Sequence, residues 1–168
     1  MSNPTQLRPA TTTDLPAMLE IYNHAILTTT SSYHYEPRTL DQWIVWFADK
    51  QQQGMPVFVA VDEADSVIGW STFGIFRGLW AGYRFSVEHS LYVQEGQRRR
   101  GVGRLLLQSL IDEARQRGYH TIIAGIDGTN QASLHLHQSM GFFQVAHFRE
   151  VGYKFDQWLD LLFLQLML

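Results

Sequence analysis

Residues 87–126 of this 168-residue chain alternate two kinds of apolar pattern, and this alternation constrains the fold more than any other feature. The short apolar run HSLYV precedes the polar turn QEGQRRRGVG. The amphipathic stretch RLLLQSLIDEARQ then leads to a second apolar run, HTIIAGI. Short β-branched or aromatic runs favour strands, whereas apolar residues three and four positions apart favour a helix. The order predicts a strand-helix-strand crossover within a mixed α/β sheet.

Further elements are predicted on both sides of this crossover. Two amphipathic helices are expected, one over TDLPAMLEIYNHAIL with Thr13 as its cap and one after a capping box formed by Thr39 and Gln42. Two strands joined by an acidic turn are expected in MPVFVAVDEADSVIGWSTFGIF, a short helix in NQASLHLHQSMGF and a last strand in QWLDLLFLQLML. No repeat or linker interrupts the pattern, so residues 1–168 are predicted to form a single domain.

Composition and charge exclude several classes of protein. The chain has no cysteine, which excludes a disulfide scaffold, a thiol nucleophile and a thiolate metal site. Its net charge of -3 argues against a nucleic-acid partner. It has no run of about 18 apolar residues, and the opening MSNPTQLRPATTTDL lacks the pattern of a signal peptide. We therefore expect no membrane contact and a cytoplasmic location.

The turn between the first strand of the crossover and its helix is typical of an anion-binding site. It supplies four arginines and two glycines: Arg98, Arg99, Arg100, Gly101, Gly103 and Arg104. The first N–H groups of a helix have no intrahelical partner and attract phosphate, and glycine lets an oxygen approach the backbone. The spacing matches neither a P-loop nor a Rossmann fingerprint. A small phosphate-bearing ligand is therefore favoured, with a merely flexible turn as the alternative.

The pattern Arg98-x-x-Gly101-x-Gly103 after HSLYV resembles the acyl-CoA pyrophosphate motif of the GNAT N-acetyltransferase superfamily. LRPATTTDLPAMLEIYNHAI resembles the first strand and helix of that family, VEHSLYV its central strand and NQASLHLHQSMGF its coenzyme-side helix. VGYKFDQWLDLLFLQL resembles the end of the branch that acetylates phosphinothricin and methionine sulfoximine. The resemblance covers residues 6–166. It implies a single-domain α/β fold with a mixed, mostly antiparallel central sheet flanked by helices, and acetyl-CoA as the cosubstrate.

The resemblance also implies which residues contact the coenzyme. Backbone groups at the end of the central strand would run alongside the pantetheine arm, the turn would hold the diphosphate, and two side chains of the coenzyme-side helix would face it. The implied contacts are Leu91, Tyr92, Val93, Arg98, Arg99, Arg100, Gly101, Val102, Gly103, Arg104, Asn130 and Ser133.

Two titratable residues are implied as catalytic. Acetyl transfer needs a neutral amine, and Glu88 stands at the position of the family's general base. His137 lies four residues before Gly141, where many members carry a tyrosine that protonates the leaving thiolate. Its imidazole is expected to donate that proton, to relay one, or only to pack beside the coenzyme. His135 and His137 would point about 200° apart on a helix, so no metal site is predicted.

The segment FRGLWAGYRFSVEHS is implied to be the acceptor loop, because an arginine there suits a carboxylate or a phosphinate. The implied acceptor contacts are Arg77, Gly78, Leu79, Trp80, Glu88, His89 and Ser90. TTSSYHYEP resembles another wall of this site. Lys154 and Trp158 fit the tail pattern of the branch, but Asp156 and Gln157 replace its usual Gly-Arg pair.

Together these features favour an acetyl-CoA-dependent N-acetyltransferase that acts on the α-amine of a small amino acid or toxic analogue, such as phosphinothricin, methionine sulfoximine or methionine sulfone. The resemblance also suggests a homodimer. One alternative is acetylation of another amine, such as a polyamine or a protein N-terminus. The other is a non-catalytic CoA-binding module, which the presence of Glu88 argues against.

Overall fold

One seven-stranded sheet and four α-helices account for most of residues 5–168, the part of the chain that the computed structural model describes. The strands are β1 Gln6–Pro9, β2 Val57–Val61, β3 Val67–Ile75, β4 Ser86–Val93, β5 Thr121–Asp127, β6 Phe143–Lys154 and β7 Gln157–Met167. The helices are α1 Leu15–Thr28, α2 Leu40–Gln52, α3 Val102–Gln116 and α4 Gln131–Ser139. None of these helices is both long and apolar enough to cross a membrane.

The sheet is mostly antiparallel, as expected. Its strand order is β1-β2-β3-β4-β5-β7-β6, and every neighbouring pair is antiparallel except β4 and β5. These two parallel strands are joined by α3, because a parallel pair needs a crossover connection rather than a hairpin. The predicted strand-helix-strand unit at residues 87–126 is confirmed.

The parallel pair is short, and this shapes the molecule. Ser86, Val87 and Glu88 pair with residues 121–123, and no pairing of β4 with β5 follows. Beyond Glu88, β4 continues along β3 to Val93, while β5 continues along β7 to Asp127. The two strands therefore part at the middle of the sheet and leave a cleft between them.

Side-chain alternation along the strands sends apolar residues to both faces of the sheet. Helices α1 and α2 cover one face, where Trp43 and Phe47 pack with Val59 and Trp70. Helix α3 covers the other face, where Leu107 and Leu110 pack with residues such as Phe73, Val87, Ile122 and Ala124. Successive residues of a strand point to opposite faces, so strands buried on both sides read as continuous apolar runs.

The predicted ends of the helices are confirmed at several places. Thr39 and Gln42 form a reciprocal capping box at the start of α2. Gly118 and Gly141 follow α3 and α4 with φ angles of 75° and 92°, left-handed values that favour glycine. Arg117 pairs with Glu113 one turn earlier on α3.

Two local expectations are wrong. Thr11, rather than Thr13, makes the capping box before α1, because residues 12–14 form a short 3-10 turn ahead of the helix. The sequence pattern predicts no element over residues 143–154, yet β6 lies there. Its outer residues are mostly exposed, and a register shift between Phe148 and Gly152 breaks the period-two pattern by which a strand is recognised.

Candidate active site

The cleft between β4 and β5 has a volume of about 860 Å³. It runs from Glu88, where the two strands part, to the turn before α3. The predicted coenzyme and catalytic residues that line it are Glu88, Leu91, Tyr92, Val93, Arg98, Arg99, Gly101, Gly103, Arg104, Asn130, Ser133 and His137. Segments that are far apart in the sequence are therefore gathered in one groove.

The turn at residues 98–104 presents free backbone N–H groups to this cleft. None of the amides of residues 99–104 donates a hydrogen bond to another residue of the described chain, and the first helical bond runs from Leu105 to the carbonyl of Gly101. Gly101 has a φ angle of 84°, which explains why glycine is needed there. A row of unpaired amides at a helix start, with the positive end of the helix dipole behind it, suits a phosphate group.

The arginines of the turn divide into two groups. Arg98, Arg99 and Arg104 line the cleft. The side chain of Arg100 instead donates to Gln97 at 2.6 Å, and it does not line the cleft. Val102 is 2% exposed and packs in the core, so only its backbone amide faces the turn. Three of the four arginines of the turn therefore line the cleft beside the free amides.

The coenzyme-side helix α4 contributes its first turn to the cleft. Asn130 caps this helix, because its side-chain oxygen accepts a hydrogen bond from the amide of Ser133. The oxygen of Asn130 is thereby committed to the cap, and its amide nitrogen is the group left for a ligand.

Glu88 lies at the inner end of the cleft and is half-buried. Burial raises the pKa of its carboxyl above the ordinary value, and the carboxylate forms no ion pair within the described chain. Its side chain leans towards β5, where a Cβ added to Gly125 would lie 3.3 Å from Oε1. A raised pKa makes this carboxylate a better proton acceptor than an exposed glutamate.

His137 and His89 form a direct pair, with their Nε2 atoms 2.9 Å apart. His137 Nδ1 lies 2.7 Å from the carbonyl oxygen of Ser133, which can only accept, so Nδ1 carries a proton. Burial lowers the pKa of both imidazoles, which keeps them neutral. His137 Nε2 is then an acceptor, and His89 Nε2–H donates to it. His89 Nδ1 is left buried without a partner in the described chain.

The predicted acceptor loop lies outside this cleft. Arg77, Gly78, Leu79 and Trp80 do not line it. Leu79 is 93% exposed, and the guanidinium of Arg77 lies over the Trp80 ring at 4.5 Å from its centroid. His89 and Ser90, predicted with them, do line the cleft.

The predicted wall at residues 29–37 is fastened to the β6–β7 hairpin. Lys154 is 2% exposed, and its ammonium donates to the carbonyl oxygens of Thr29 and Ser32 at 2.8 and 2.6 Å. The Tyr33 hydroxyl donates to the carbonyl of Asp160, and its ring packs on Gly152, where an added Cβ would approach to 2.5 Å. Lys154 therefore positions this wall and is sequestered from a ligand.

Asp156 and Gln157, which replace the Gly-Arg pair usual in the branch, lie at the turn of the same hairpin. Lys154 pairs with Gln157, and Phe155 and Asp156 form the two-residue connection with φ angles of 53° and 57°. Trp158 is 63% exposed and packs edge-on against Tyr153. None of these residues lines the cleft.

Asp127, at the end of β5, lines the cleft and was not predicted. It is 4% exposed; one carboxylate oxygen accepts from the amide and hydroxyl of Thr129, and the other has no partner in the described chain. The sequence Asp-Gly-Thr-Asn reads as a turn, so nothing in it pointed to a cleft residue. Within residues 5–168, no group of three side chains could hold a metal ion.

Comparisons with known proteins agree with this geometry. Residues 18–142 match the model of the acetyltransferase (GNAT) family. The chain is 46% identical over 162 residues to the L-amino acid N-acyltransferase MnaT of Escherichia coli, covering 96% of this chain and 93% of that protein. It is 43% identical over 162 residues to the L-methionine sulfoximine/L-methionine sulfone acetyltransferase of Pseudomonas aeruginosa, covering 96% and 94% of the two chains.

A crystal structure of the GNAT superfamily phosphinothricin acetyltransferase of Sinorhizobium meliloti in complex with acetyl-CoA gives a TM-score of 0.95 at 33% identity, covering 100% of this chain and 89% of that one. An open parallel pair, a turn of free amides at a helix start and the matched family model all lead to the same conclusion. This chain belongs to the acetyltransferase (GNAT) family and is an acetyl-CoA-dependent N-acetyltransferase.

Proposed function

We propose that the protein transfers the acetyl group of acetyl-CoA directly to the α-amine of a small amino acid or amino-acid analogue, with Glu88 as the general base. The observation that carries this proposal is the position of Glu88, a half-buried carboxylate with a raised pKa in the same groove as the free amides of residues 99–104. A base and a diphosphate cradle in one groove are what direct transfer requires.

In this proposal, the diphosphate of the coenzyme binds the free amides of residues 99–104 together with the side chains of Arg98, Arg99 and Arg104. Charge-assisted bonds to phosphate are the strongest hydrogen bonds available to such a turn. The pantetheine arm runs along Leu91, Tyr92 and Val93, where β4 has parted from β5. The thioester then lies towards Glu88.

The reaction follows from this placement. Glu88 accepts the proton that converts the acceptor ammonium into a neutral amine, and the nitrogen lone pair then forms a bond to the thioester carbonyl carbon. The nitrogen loses its second proton to solvent as the tetrahedral intermediate collapses. The C–S bond breaks, coenzyme A leaves as a thiolate, and that thiolate takes a proton from solvent. Glu88 returns its proton to solvent, so the products are the N-acetyl compound and free coenzyme A.

His137 is given a positioning role in this proposal. Its Nδ1–H is committed to the Ser133 carbonyl, and its Nε2 accepts from His89, so the neutral ring has no free proton for a leaving thiolate. His137 was expected to donate a proton to the thiolate, to relay a proton, or only to pack beside the coenzyme. These hydrogen bonds support the last of the three roles. The pair links β4 to α4 and so sets the width of the cleft.

The class of acceptor is proposed from the relatives. The similar proteins are named for L-amino acids, methionine sulfoximine or sulfone, and phosphinothricin, all of which are small α-amino acids or analogues. Arg77, Gly78, Leu79 and Trp80 remain proposed acceptor contacts, and their loop would have to reach the cleft to make them. The cytoplasmic location also remains a prediction.

We also propose a homodimer. Several large apolar side chains of β6, of the turn after it and of the start of β7 are exposed: Val145, Phe148, Val151, Phe155 and Trp158. An apolar edge strand of this length is a surface that soluble proteins usually cover. Light scattering at micromolar concentration tests this, and a monomeric mass would contradict it.

A thiol-release assay with acetyl-CoA tests the proposed function. We expect turnover with at least one of methionine sulfoximine, methionine sulfone and phosphinothricin at millimolar concentration, and none with the polyamine spermidine. Release of thiol with spermidine alone would overturn the acceptor class. An acetylated enzyme isolated without acceptor would overturn direct transfer.

A further inference from the structure

A second cavity, of about 370 Å³, lies on the α1–α2 side of the sheet. We call it the aromatic cavity, because five of its lining residues are aromatic: Tyr22, Trp43, Trp46, Trp70 and Tyr92. Their rings pack on one another, with Trp43 and Trp46 stacked at 4.3 Å and Trp43 edge-on to Trp70 at 5.4 Å. The Trp70 indole N–H donates to the Met18 carbonyl, which fixes its orientation. The walls are therefore rigid and mostly apolar.

Apart from its tyrosines, the ionisable side chains that line the aromatic cavity are all basic. Lys50, Arg38 and His34 line it, and no aspartate or glutamate does. The Lys50 ammonium makes one hydrogen bond, to the Phe73 carbonyl at 2.9 Å, and forms no ion pair within the described chain. A lysine ammonium has three N–H donors, so two of them remain available.

The Lys50 ammonium can lie close to the backbone of β3 because residue 74 is a glycine. A Cβ added to Gly74 would lie 3.2 Å from the Lys50 nitrogen, so the missing side chain leaves room for the ammonium above β3. The Lys50 side chain is partly buried and has no counter-charge within the described chain, and this burial lowers the pKa of its ammonium. A group that supplied negative charge would compensate this loss.

The aromatic cavity adjoins the catalytic cleft. Ser90 and Tyr92 line both. Thr72, at its floor, pairs with Ser90 across the sheet, and Gly74 pairs with Glu88.

The Glu88 carboxylate leans towards Gly125 of β5, whereas the Lys50 ammonium lies above Gly74 of β3, on the other side of β4. Two strand spacings, roughly 9–10 Å, separate these positions. That span leaves room for an amino acid with a side chain of four or five atoms and a hydrogen bond at each end.

We infer that the aromatic cavity binds the side chain of the acceptor, and that Lys50 selects acceptors whose distal end carries an oxyanion such as a phosphinate or carboxylate. The inference rests on the proposed function and names the substrate class of that site. The aromatic rings enclose the alkyl part, and the ammonium of Lys50, with Arg38 at the rim, meets the charged end. The same charges disfavour a cationic side chain.

Kinetics of Lys50→Met and Lys50→Arg test the inference. Methionine keeps the length of the side chain and removes the charge. We expect Lys50→Met to raise the KM for phosphinothricin at least about tenfold, the effect of losing one charge-assisted hydrogen bond, with kcat changed less than about threefold. The KM for methionine sulfone, which has a neutral distal group, should change less than about threefold, and Lys50→Arg should restore part of the loss. Equal effects on both acceptors, or no effect on either, would overturn the inference.

Tryptophan fluorescence gives a readout that does not depend on turnover. Three of the five tryptophans line the aromatic cavity, so a ligand there changes their emission, and Trp158→Phe removes the exposed Trp158 from the background. In that background, phosphinothricin should change the emission with an affinity at least about tenfold weaker when Lys50→Met is added.

The two experiments separate the inference from the proposed function. An emission change that depends on Lys50, without thiol release from any acceptor, would support the cavity and overturn the acetylation of small amino acids. Thiol release with phosphinothricin, but with binding and KM indifferent to Lys50→Met, would overturn the inference alone. Absence of any emission change at saturating phosphinothricin would overturn it as well.

Discussion

The two halves of the active site are built in different ways. In the proposed coenzyme half, the diphosphate cradle is a single stretch, residues 98–104, whose chemistry resides in backbone amides and neighbouring arginines. The proposed acceptor half is gathered from α1, α2, β3 and β4, and its chemistry resides in side chains such as Trp43, Lys50 and Tyr92. A binding site made from one segment can be recognised by its local pattern. A site made from four segments requires the folded structure.

Glu88 lies where the two halves meet, and its removal should have the largest effect. We expect Glu88→Gln to lower kcat about 10²- to 10⁴-fold while leaving both KM values near those of the wild type, because the amide keeps the shape and cannot accept the proton. Stopped thiol-release assays measure this. Glu63→Gln, at an exposed position that lines neither cavity, is the control. Retention of more than a tenth of the turnover would show that another group is the base.

The pH dependence of kcat/KM is a second test of Glu88 as the general base. Burial raises the pKa of Glu88, and the base must be ionised to act, so kcat/KM should rise with pH through an inflection above the ordinary glutamate value. That inflection should disappear in Glu88→Gln. A limb that falls between pH 6 and 8 would indicate a histidine acid and contradict the positioning role of His137.

Gly152→Ala addresses the acceptor half alone. The added methyl group would overlap the ring of Tyr33, which approaches to 2.5 Å, so the wall at residues 29–37 must shift. We expect the free energy of unfolding to fall by about 1–3 kcal/mol and the acceptor KM to rise, with the acetyl-CoA KM unchanged. Denaturant titration and steady-state kinetics measure the two effects. Gly96→Ala, which lies outside the aromatic cavity and where an added Cβ also meets nothing within 4 Å, is the matched control.

Gly101→Ala addresses the coenzyme half alone. The φ angle of 84° is unfavourable for alanine by about 1 kcal/mol, although nothing lies within 4 Å of the added Cβ. The turn should therefore relax, and the acetyl-CoA KM should rise severalfold with the acceptor KM unchanged. Gly96→Ala, in the same loop without a left-handed φ or a close neighbour, controls for the methyl group itself. An equal rise in both KM values would remove the distinction between the two halves.

His137→Asn should have the smallest effect. It disturbs the link to His89 but removes no free proton, so kcat should fall only severalfold. Calorimetry with coenzyme A should show a matching loss of affinity. A drop of 10² or more in kcat without a change in affinity would restore the general-acid role.

The sequence predicted the parts of the fold that are encoded locally. The capping box at Thr39, the left-handed glycines at positions 118 and 141 and the crossover at residues 87–126 each depend on residues close together in the chain. β6 was missed because its exposed residues and its register shift leave no period of two.

The residues of the candidate site also divide into those that the local sequence predicts and those that only the fold brings into the site. The arginine-glycine turn lies in the cleft, but whether each arginine faces it depends on packing, and Arg100 turns to Gln97 instead. Lys50 and Asp127 gave no signal in the sequence, because their importance comes from the strand opposite Lys50 and from the cleft beside Asp127. Lys154 matched a family pattern, yet its ammonium is buried against two carbonyls.

The three-residue pairing of β4 with β5 has a mechanical consequence. Beyond Glu88 no ladder bond joins the two sides of the sheet, so the sides can shear or widen along this line without breaking backbone hydrogen bonds. The cosubstrate can then bind between β4 and β5. Once bound, it contacts both strands and restricts their relative motion. We therefore expect slower amide hydrogen exchange at the ends of both strands when acetyl-CoA is bound.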